Sequence, residues 1–273
     1  MKILLMSLLI WLTTVSSFGQ QIAKRNALTL RIGGGFIMRQ DFVFSPFIHE
    51  DFSLMNLRLD YTRKDHFLQK VSLQYANFNP MLEESYEFTV HGEQNTAYPH
   101  NFNLIDLDYQ LGKKIKETKN ASIAIGGLFS SDIQAMNYVY GRISSFGYFF
   151  SFGLGCIGIY ERQINVKSKL EATLKLPLVI FLARSPYLVN DDEFIENISS
   201  HSGFKTFMAF LGDGQMTTWN KIQTLDFELK YKYSVSERWE FGADYLFELI
   251  HMSQPRNLLS LRNSLNLSAT FEF

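Results

Sequence analysis

The chain alternates apolar and polar residues over long stretches, and this period of two constrains its fold more than any other feature. Successive side chains of a β-strand point to opposite faces, so strict alternation predicts a strand with one apolar and one polar face. The segment 224–235 is the clearest example. One of its faces carries Leu225, Phe227, Leu229, Tyr231, Tyr233 and Val235, and the other carries Asp226, Glu228, Lys230, Lys232 and Ser234.

The same alternation recurs along the chain and predicts about ten strands, with 8 to 12 possible. They lie near 27–39, 51–62, 66–78, 101–112, 120–133, 146–160, 166–183, 221–234, 237–251 and 259–273. The connectors between them are alternately short, at 63–65, 113–119, 161–165 and 234–237, and longer, at 40–50, 79–100, 134–145, 184–220 and 252–258. An even strand number with short turns on one side and longer loops on the other is typical of bacterial transmembrane barrels.

Two soluble folds, a sandwich and a hollow barrel, also have strands that alternate. Strands of a soluble sandwich average about 5 to 6 residues, whereas these are long enough for the tilted bilayer path of about 9 to 11 residues. A hollow soluble barrel would turn its charged faces outward and its aromatic side chains inward. The sequence therefore predicts an all-β, single-chain antiparallel transmembrane β-barrel.

The first residues have the features of a cleaved secretory signal peptide. Lys2 supplies a positive start, 3–15 is apolar, and Ser17 and Gly19 are small residues at the positions that a signal peptidase reads. The apolar run is shorter than the roughly 18 residues of a membrane-spanning helix. We expect residues 1–19 to be removed and residues 20–273 to form one barrel domain.

Composition excludes several classes of function. The formal net charge is -1 and 46% of the residues are hydrophobic, so the chain is neither disordered nor a basic nucleic-acid binder. Cys156 is the single cysteine, which rules out an intramolecular disulfide and a cysteine-based zinc cluster within one chain. No cofactor and no metal ion is expected.

The last strand carries a signature of its own. Apolar side chains occupy every second position up to the final residue, namely Leu265, Leu267, Ala269, Phe271 and Phe273. This pattern resembles the carboxyl-terminal signature of Gram-negative outer-membrane β-barrel proteins, although Phe271 stands where tyrosine is commoner. The resemblance implies location in the outer membrane and an assembly signal formed by Phe273, Phe271, Leu267 and Leu265. The partners that it implies are the barrel assembly machinery, periplasmic chaperones, outer-membrane lipid and lipopolysaccharide.

Aromatic side chains fall near many of the predicted strand ends, where the aromatic girdles of a membrane barrel lie. They are Phe36, Phe42, Phe44, Phe47, Tyr98, Tyr138, Tyr140, Phe146, Tyr148, Tyr160, Tyr187 and Trp219.

The polar strand faces should line the lumen with charges of both signs. The predicted lumen residues are Arg31, Arg58, Asp60, Lys70, Asp106, Asp108, Lys169, Glu171, Lys175, Asp226, Glu228, Lys230, Lys232, Arg238, Glu240, Asp244 and Glu248. A barrel of about ten strands is narrow, so a network of ion pairs that plugs the lumen is favoured over a channel that conducts or holds a ligand.

The ten-strand count also resembles the omptin outer-membrane proteases, which act at the outer rim with carboxylates and a His-Asp pair. Candidates near the outer strand ends are His49, Glu50, Asp51, His100, Asp132, Asp191, Asp192, His201 and His251. A barrel lipase could use His201 and Ser202, and the acids at 191–193 could take calcium, but a loop turn and a helix start explain these residues as well. No catalytic residue is therefore assigned.

The function predicted from the sequence is that of a non-enzymatic outer-membrane barrel, narrow or plugged. Its work would be solute binding or transport, surface attachment or support of the envelope. The alternative is an outer-membrane hydrolase, omptin-like or lipase-like, with a site at the extracellular rim. Acids and histidines that converge at the rim would favour the hydrolase, and a lumen of paired charges would favour the non-enzymatic barrel.

Overall fold

The structure of the protein is a computed structural model that describes residues 26–81, 85–90, 92–97, 99–140, 143–185, 211–212 and 214–273. The proposed signal peptide and its cleavage position lie outside these residues, as do Asp191, Asp192, His201 and Ser202. No helix in the described part of the chain is long and apolar enough to cross a membrane.

Thirteen strands are present in the described residues. They are β1 (Asn26–Asp41), β2 (Ile48–Lys64), β3 (Leu68–Phe78), β4 (Tyr86–Val90), β5 (Glu93–Ala97), β6 (His100–Glu117), β7 (Ala121–Tyr140), β8 (Ile143–Gln163), β9 (Ser168–Arg184), β10 (Gln215–Thr218), β11 (Ile222–Ser234), β12 (Trp239–Met252) and β13 (Leu258–Glu272). Strands β4 and β5 form a separate hairpin, and β10 adds to β9. The remaining ten strands form the barrel wall, which confirms the predicted count and fold class.

The barrel closes where the first strand meets the last. β1 and β13 pair antiparallel from Ala27 opposite Glu272 to Asp41 opposite Leu258. At the lower end of this seam, the Phe273 amide donates to the Asn26 carbonyl at 2.9 Å. Closure leaves no open sheet edge at the seam, which is the condition for backbone to lie in lipid.

The two faces of the wall differ as the alternation predicts. Outward side chains are apolar and exposed, and Leu265 and Leu267 are 66% and 73% accessible. Inward side chains of the same strand, such as Ser264 and Asn266, are buried. The soluble barrel with an apolar interior and a charged exterior is therefore excluded for the wall strands.

Outward amide side chains mark where the apolar belt ends on β3 and β6. Asn77 donates to Asn103 at 2.9 Å, and Asn103 donates to Asn101 at 3.0 Å. Asn79 joins the same ladder through Asn77 at 3.0 Å. Because amides are costly in hydrocarbon, this ladder places the outer boundary of the membrane at its height.

One predicted loop is wrong. The sequence predicts a connector at 134–145, but β7 continues to Tyr140 and β8 begins at Ile143. The two strands keep pairing above the level of the Asn ladder. The sequence does not reveal this extension, because alternation weakens where both faces of a hairpin leave lipid and meet polar surroundings. The predicted connectors 40–50 and 252–258 are confirmed in shortened form, since β2 begins at Ile48 and β13 at Leu258. The predicted connector 79–100 contains β4 and β5, and the described part of 184–220 contains β10.

The Gly33–Gly35 run lies at an irregularity in the barrel wall. The register between β1 and β2 shifts between Gly33 and Gly35. A side chain at Gly33 would collide with the Leu265 carbonyl oxygen, and one at Gly34 would meet the ring of Phe52. Glycine is therefore required for close approach of the strands here.

Candidate functional site: a layered lumen

The lower part of the lumen is filled by ion pairs centred on Glu228. This carboxylate is 1% exposed and contacts Arg31, Arg58 at 3.5 Å, Lys70 at 3.7 Å and Lys230 at 3.0 Å. The four cations come from β1, β2, β3 and β11, so a single carboxylate ties together distant parts of the wall. A buried charge is tolerated only where such partners surround it.

A second acid, Asp60, shares the same cations. Its carboxylate lies 2.5 Å from Arg31, 2.9 Å from Arg58 and 3.4 Å from Lys70. Asp244 adds a contact with Arg31 at 3.5 Å. These pairs confirm the predicted network of lumen charges.

Closer to the turns, Glu171 bridges Lys230 at 2.8 Å and Lys232 at 2.7 Å. The wall on the other side of the lower lumen is covered by apolar side chains. These are Ala124, Leu128, Ile157 and Ile159, with Leu68 packed against them. The lower lumen is therefore occupied by side chains from both sides.

A small chamber lies above the ion pairs. Its cavity volume is about 30 Å³, which is enough for a few water-sized groups. Its described lining contains three basic residues, Arg58, Lys175 and Arg262. The acidic residues of the lining are Asp106, Asp108, Asp132, Asp226 and Glu248.

Like charges stand opposite each other across two strand pairs in this chamber. Asp106 is the cross-strand partner of Asp132, and Asp226 is the partner of Glu248. Two cations lie among them. Lys175 contacts Asp108 at 2.5 Å and Asp226 at 3.3 Å, and Arg262 contacts Asp106 and Glu248.

A layer of apolar side chains closes the lumen above the chamber. Its buried members include Ile37, Ala76, Phe78, Phe102, Leu104, Met136, Phe149, Ile180, Leu182, Ile222, Met252 and Leu258. Each is 5% exposed or less. This layer was not predicted, because the alternation rule assigns polar residues to the lumen along the whole strand.

The outer mouth above this layer holds a cluster of rings and charges. The His100 Nε2 atom lies 3.3 Å from Asp51 Oδ2, and the His49 ring meets the rings of His100 and Tyr138 edge-on at 5.4 and 5.2 Å. The ring of Phe44, from the loop between β1 and β2, stacks on Tyr138 at 5.0 Å.

Arginines hold the loops over this mouth. Arg39 donates to the Tyr138 hydroxyl at 2.9 Å. Arg184 donates to Asp41 at 2.6 Å and to the Arg256 carbonyl, in the loop between β12 and β13, at 2.8 Å. The mouth is thereby closed by loops as well as by side chains of the wall.

The residues predicted as rim candidates lie in different parts of the barrel. His49, Asp51 and His100 come together at the mouth, and all three are buried. Asp132 instead lines the chamber, where it accepts the Ser151 hydroxyl at 2.8 Å.

The remaining described candidates stay apart from this cluster. Glu50 is exposed, and His251 is exposed and contacts Gln223 at 2.8 Å. Of the predicted lumen residues, Arg238 is wrong, because it lies exposed in the turn between β11 and β12.

Sequence reasoning missed Arg39, Asp41, Arg184 and Arg262, which are all buried in the lumen. Arg262 could have been found, because it keeps step with the inward residues of the last strand. Arg184 could not, because the register of β9 shifts at Leu178, between Pro177 opposite Gly155 and Val179 opposite Leu154. A one-residue shift exchanges the two faces of everything beyond it.

The wall is interrupted beside the chamber. β9 pairs with β11 up to Lys175 and with β10 from Val179 to Leu182. Pro177 lies in the gap and has no N–H to donate. Residues 222–225 of β11 have β12 as their only paired strand among the described residues.

No group of three or more histidine, cysteine or acidic side chains in the described residues is arranged to hold a metal ion.

Comparison with known proteins identifies barrels but no relative. No family model and no curated protein matches the sequence. Among solved structures, the chain is similar to the outer membrane protease OmpT from Escherichia coli, with 6% identity, a TM-score of 0.48 and coverage of 95% of this chain and 100% of that one. It is also similar to the translocator domain of the autotransporter NalP from Neisseria meningitidis, with 8% identity, a TM-score of 0.41 and coverage of 100% and 95%. Neisserial surface protein A gives 10% identity, a TM-score of 0.37 and coverage of 90% and 99%.

The ion-pair layer gives a direct prediction. Replacement of Glu228 with glutamine should reduce the free energy of unfolding by about 3 to 5 kcal/mol, because it leaves buried cations without their carboxylate. Urea unfolding of the protein in lipid vesicles would measure the change. Glu117→Gln is the matched control, since Glu117 pairs with Lys114 at an exposed strand end and should change stability by less than about 1 kcal/mol. Equal effects of the two substitutions would contradict a network centred on Glu228.

Proposed function

We propose that the protein is a non-enzymatic outer-membrane barrel with a closed lumen, which works by binding rather than by open diffusion. The observation that carries the proposal is the layered filling of the lumen. Ion pairs fill its lower part and apolar side chains fill its upper part. An open pore needs a continuous water-filled path, and neither layer offers one.

The placement in the outer membrane rests on the chain itself. Its wall presents an apolar face to the surroundings, and its last strand ends on the aromatic signature described above. Phe273 is 46% exposed, and its ring stacks on Phe271 at 6.1 Å on the outer face. Phe271 in turn packs against Trp239 at 5.1 Å, so the aromatic group lies at one level, as a girdle does. Outer-membrane lipid and lipopolysaccharide would contact this face, and periplasmic chaperones would protect it before insertion.

A closed lumen predicts the electrical behaviour of the protein. The purified protein in planar lipid bilayers should show no steady conductance, because ions cannot pass the paired charges and the apolar layer. The double variant Arg31→Ala/Arg58→Ala, which removes two cations of the lower layer, should show more frequent openings than the wild type. Stable openings of the wild-type protein at low voltage would overturn the closed-barrel proposal.

The terminal aromatic residue predicts an assembly phenotype. Phe273→Ala keeps the backbone bonds to Asn26 but removes the ring that the assembly machinery would read by strand addition. We expect secretion to continue and outer-membrane insertion to fall, with protein accumulating in the periplasm or being degraded. Fractionation of cells at low expression would measure it. Phe67→Ala, an aromatic residue exposed in another turn, is the control and should insert normally.

A rim hydrolase remains the second candidate, and one observation favours it. The Asp51–His100 pair has the geometry of a base and its orienting carboxylate. Against it, both side chains are 0% exposed, and the Met81 amide from the loop after β3 donates to Asp51 at 2.8 Å. A substrate would have to displace this loop and the ring of Phe44.

The hydrolase candidate is tested by activity. Vesicles that contain the wild-type protein should cleave neither fluorogenic peptides nor phospholipid. Cleavage that is lost in His100→Ala and retained in His251→Ala would replace the first proposal with the second.

A further inference from the structure

The chamber of the lumen is charged out of balance, unlike the ion-pair layer beneath it. Its described lining has five acids and three bases. One of the bases, Arg58, is already engaged by Asp60 at 2.9 Å and by Glu228. Lys175 and Arg262 therefore stand against five carboxylates. Buried carboxylates need compensation, either by a proton or by a cation, so this space has room in its charge balance for a further cation.

Asp132 is the acid of the chamber that has no cation partner in the described residues. Lys175 forms ion pairs with Asp108 and Asp226, and Arg262 forms ion pairs with Asp106 and Glu248. Asp132 accepts the Ser151 hydroxyl, makes a side-chain hydrogen bond with Asp106 and forms no ion pair with a cation in the described residues. The Oδ1 atom of Asp106 has no hydrogen-bond partner. Asp132 also faces Asp106 directly across β6 and β7, and opposed like charges destabilise a strand pair.

A second observation, independent of the acids, indicates that a ligand occupies the chamber. Thr224 lines it and is 5% exposed, and its hydroxyl oxygen has no hydrogen-bond partner. The Nη1 nitrogen of Arg262, which is a hydrogen-bond donor, also has no partner. Buried polar atoms are rarely left unpaired, so small polar groups are expected in the chamber beside them.

Size and chemistry narrow the occupant. A cavity that holds only a few water-sized groups excludes a large solute. A primary ammonium group is a compact cation whose N–H groups donate in several directions, and carboxylate and hydroxyl oxygens accept. An accompanying water can accept from Arg262. The described residues have no cluster of three ligands suited to a metal ion, which favours ammonium over a metal cation.

We propose that this chamber is a binding site for a small primary ammonium ion, held by Asp132 with the Thr224 hydroxyl. The interruption of the wall at Pro177 adjoins the same chamber. The inference deepens the proposed binding function and depends on the lumen being closed. Conductance and ammonium binding are separate measurements, so a failure of ammonium binding is distinguishable from a failure of the closed-lumen proposal.

The test is equilibrium dialysis of the purified full chain in detergent against radiolabelled methylammonium, at constant pH and ionic strength. Dialysis to equilibrium makes the result independent of how slowly the chamber exchanges. Saturable binding is expected. Unlabelled ammonium should displace the label, and tetramethylammonium should not, because it carries the same charge but has no N–H and is too large.

Two variants assign the binding to this chamber. Asp132→Asn removes the carboxylate that has no cation partner at nearly constant volume and should weaken binding about tenfold or more, as for a lost hydrogen bond to a charged group. Thr224→Val removes a neutral acceptor and should weaken it by about fivefold. Glu117→Gln, which removes the same charge from an exposed strand end, should bind like the wild type. Thr224→Val keeps the test decisive if Asp132→Asn does not fold.

Several results would overturn the proposal. They are absence of saturable binding, equal displacement by tetramethylammonium, or unchanged binding in both chamber variants. Equal displacement by potassium would replace ammonium with an alkali ion as the occupant and would also overturn it.

Discussion

The rest of this structure depends on the requirement that backbone amides and carbonyls in lipid be paired within the protein. A sheet can satisfy it only by closing, and here the seam between β1 and β13 does so along their shared length. Closure brings both ends of the described barrel to the same side. It also forces every second side chain into an enclosed space, so the content of the lumen follows from the need to shield the backbone.

The enclosed space is then governed by charge compensation. Ten strands make a barrel narrow enough for side chains to fill, and the side chains that alternate with lipid-facing residues are largely charged. In the lower lumen, acids and bases from distant strands meet around Glu228 and Asp60, so the cross-links hold the wall together from inside. The chamber departs from this rule, because it contains two cross-strand pairs in which one acid faces another. We therefore place the proposed binding site in the chamber, since an excess of acids does not stabilise a structural plug.

Register shifts decide the chemistry of the mouth. The shift between β1 and β2 near Gly33–Gly35 leaves Leu54 and Met55, which are neighbours in sequence, both exposed. It allows His49 and Asp51 to face inward together with Arg58. The shift at Leu178 does the same for Arg184 on β9. Without them, the charges that tie the loops over the mouth would point toward the membrane boundary.

The sequence by itself determined the strand class, the ten wall strands, the sidedness of most positions and the charged lumen, because each follows from a period of two that lipid and water impose locally. The identity of Asp60, Glu228 and Lys230 as lumen residues came from that period alone. Only the tertiary structure decided which charges meet, that an apolar layer closes the upper lumen, and that His49 joins His100 and Asp51 at the mouth. It also decided which acids were left without a cation. These contacts join strands far apart in sequence and depend on the stagger of the closed sheet, which local alternation does not determine.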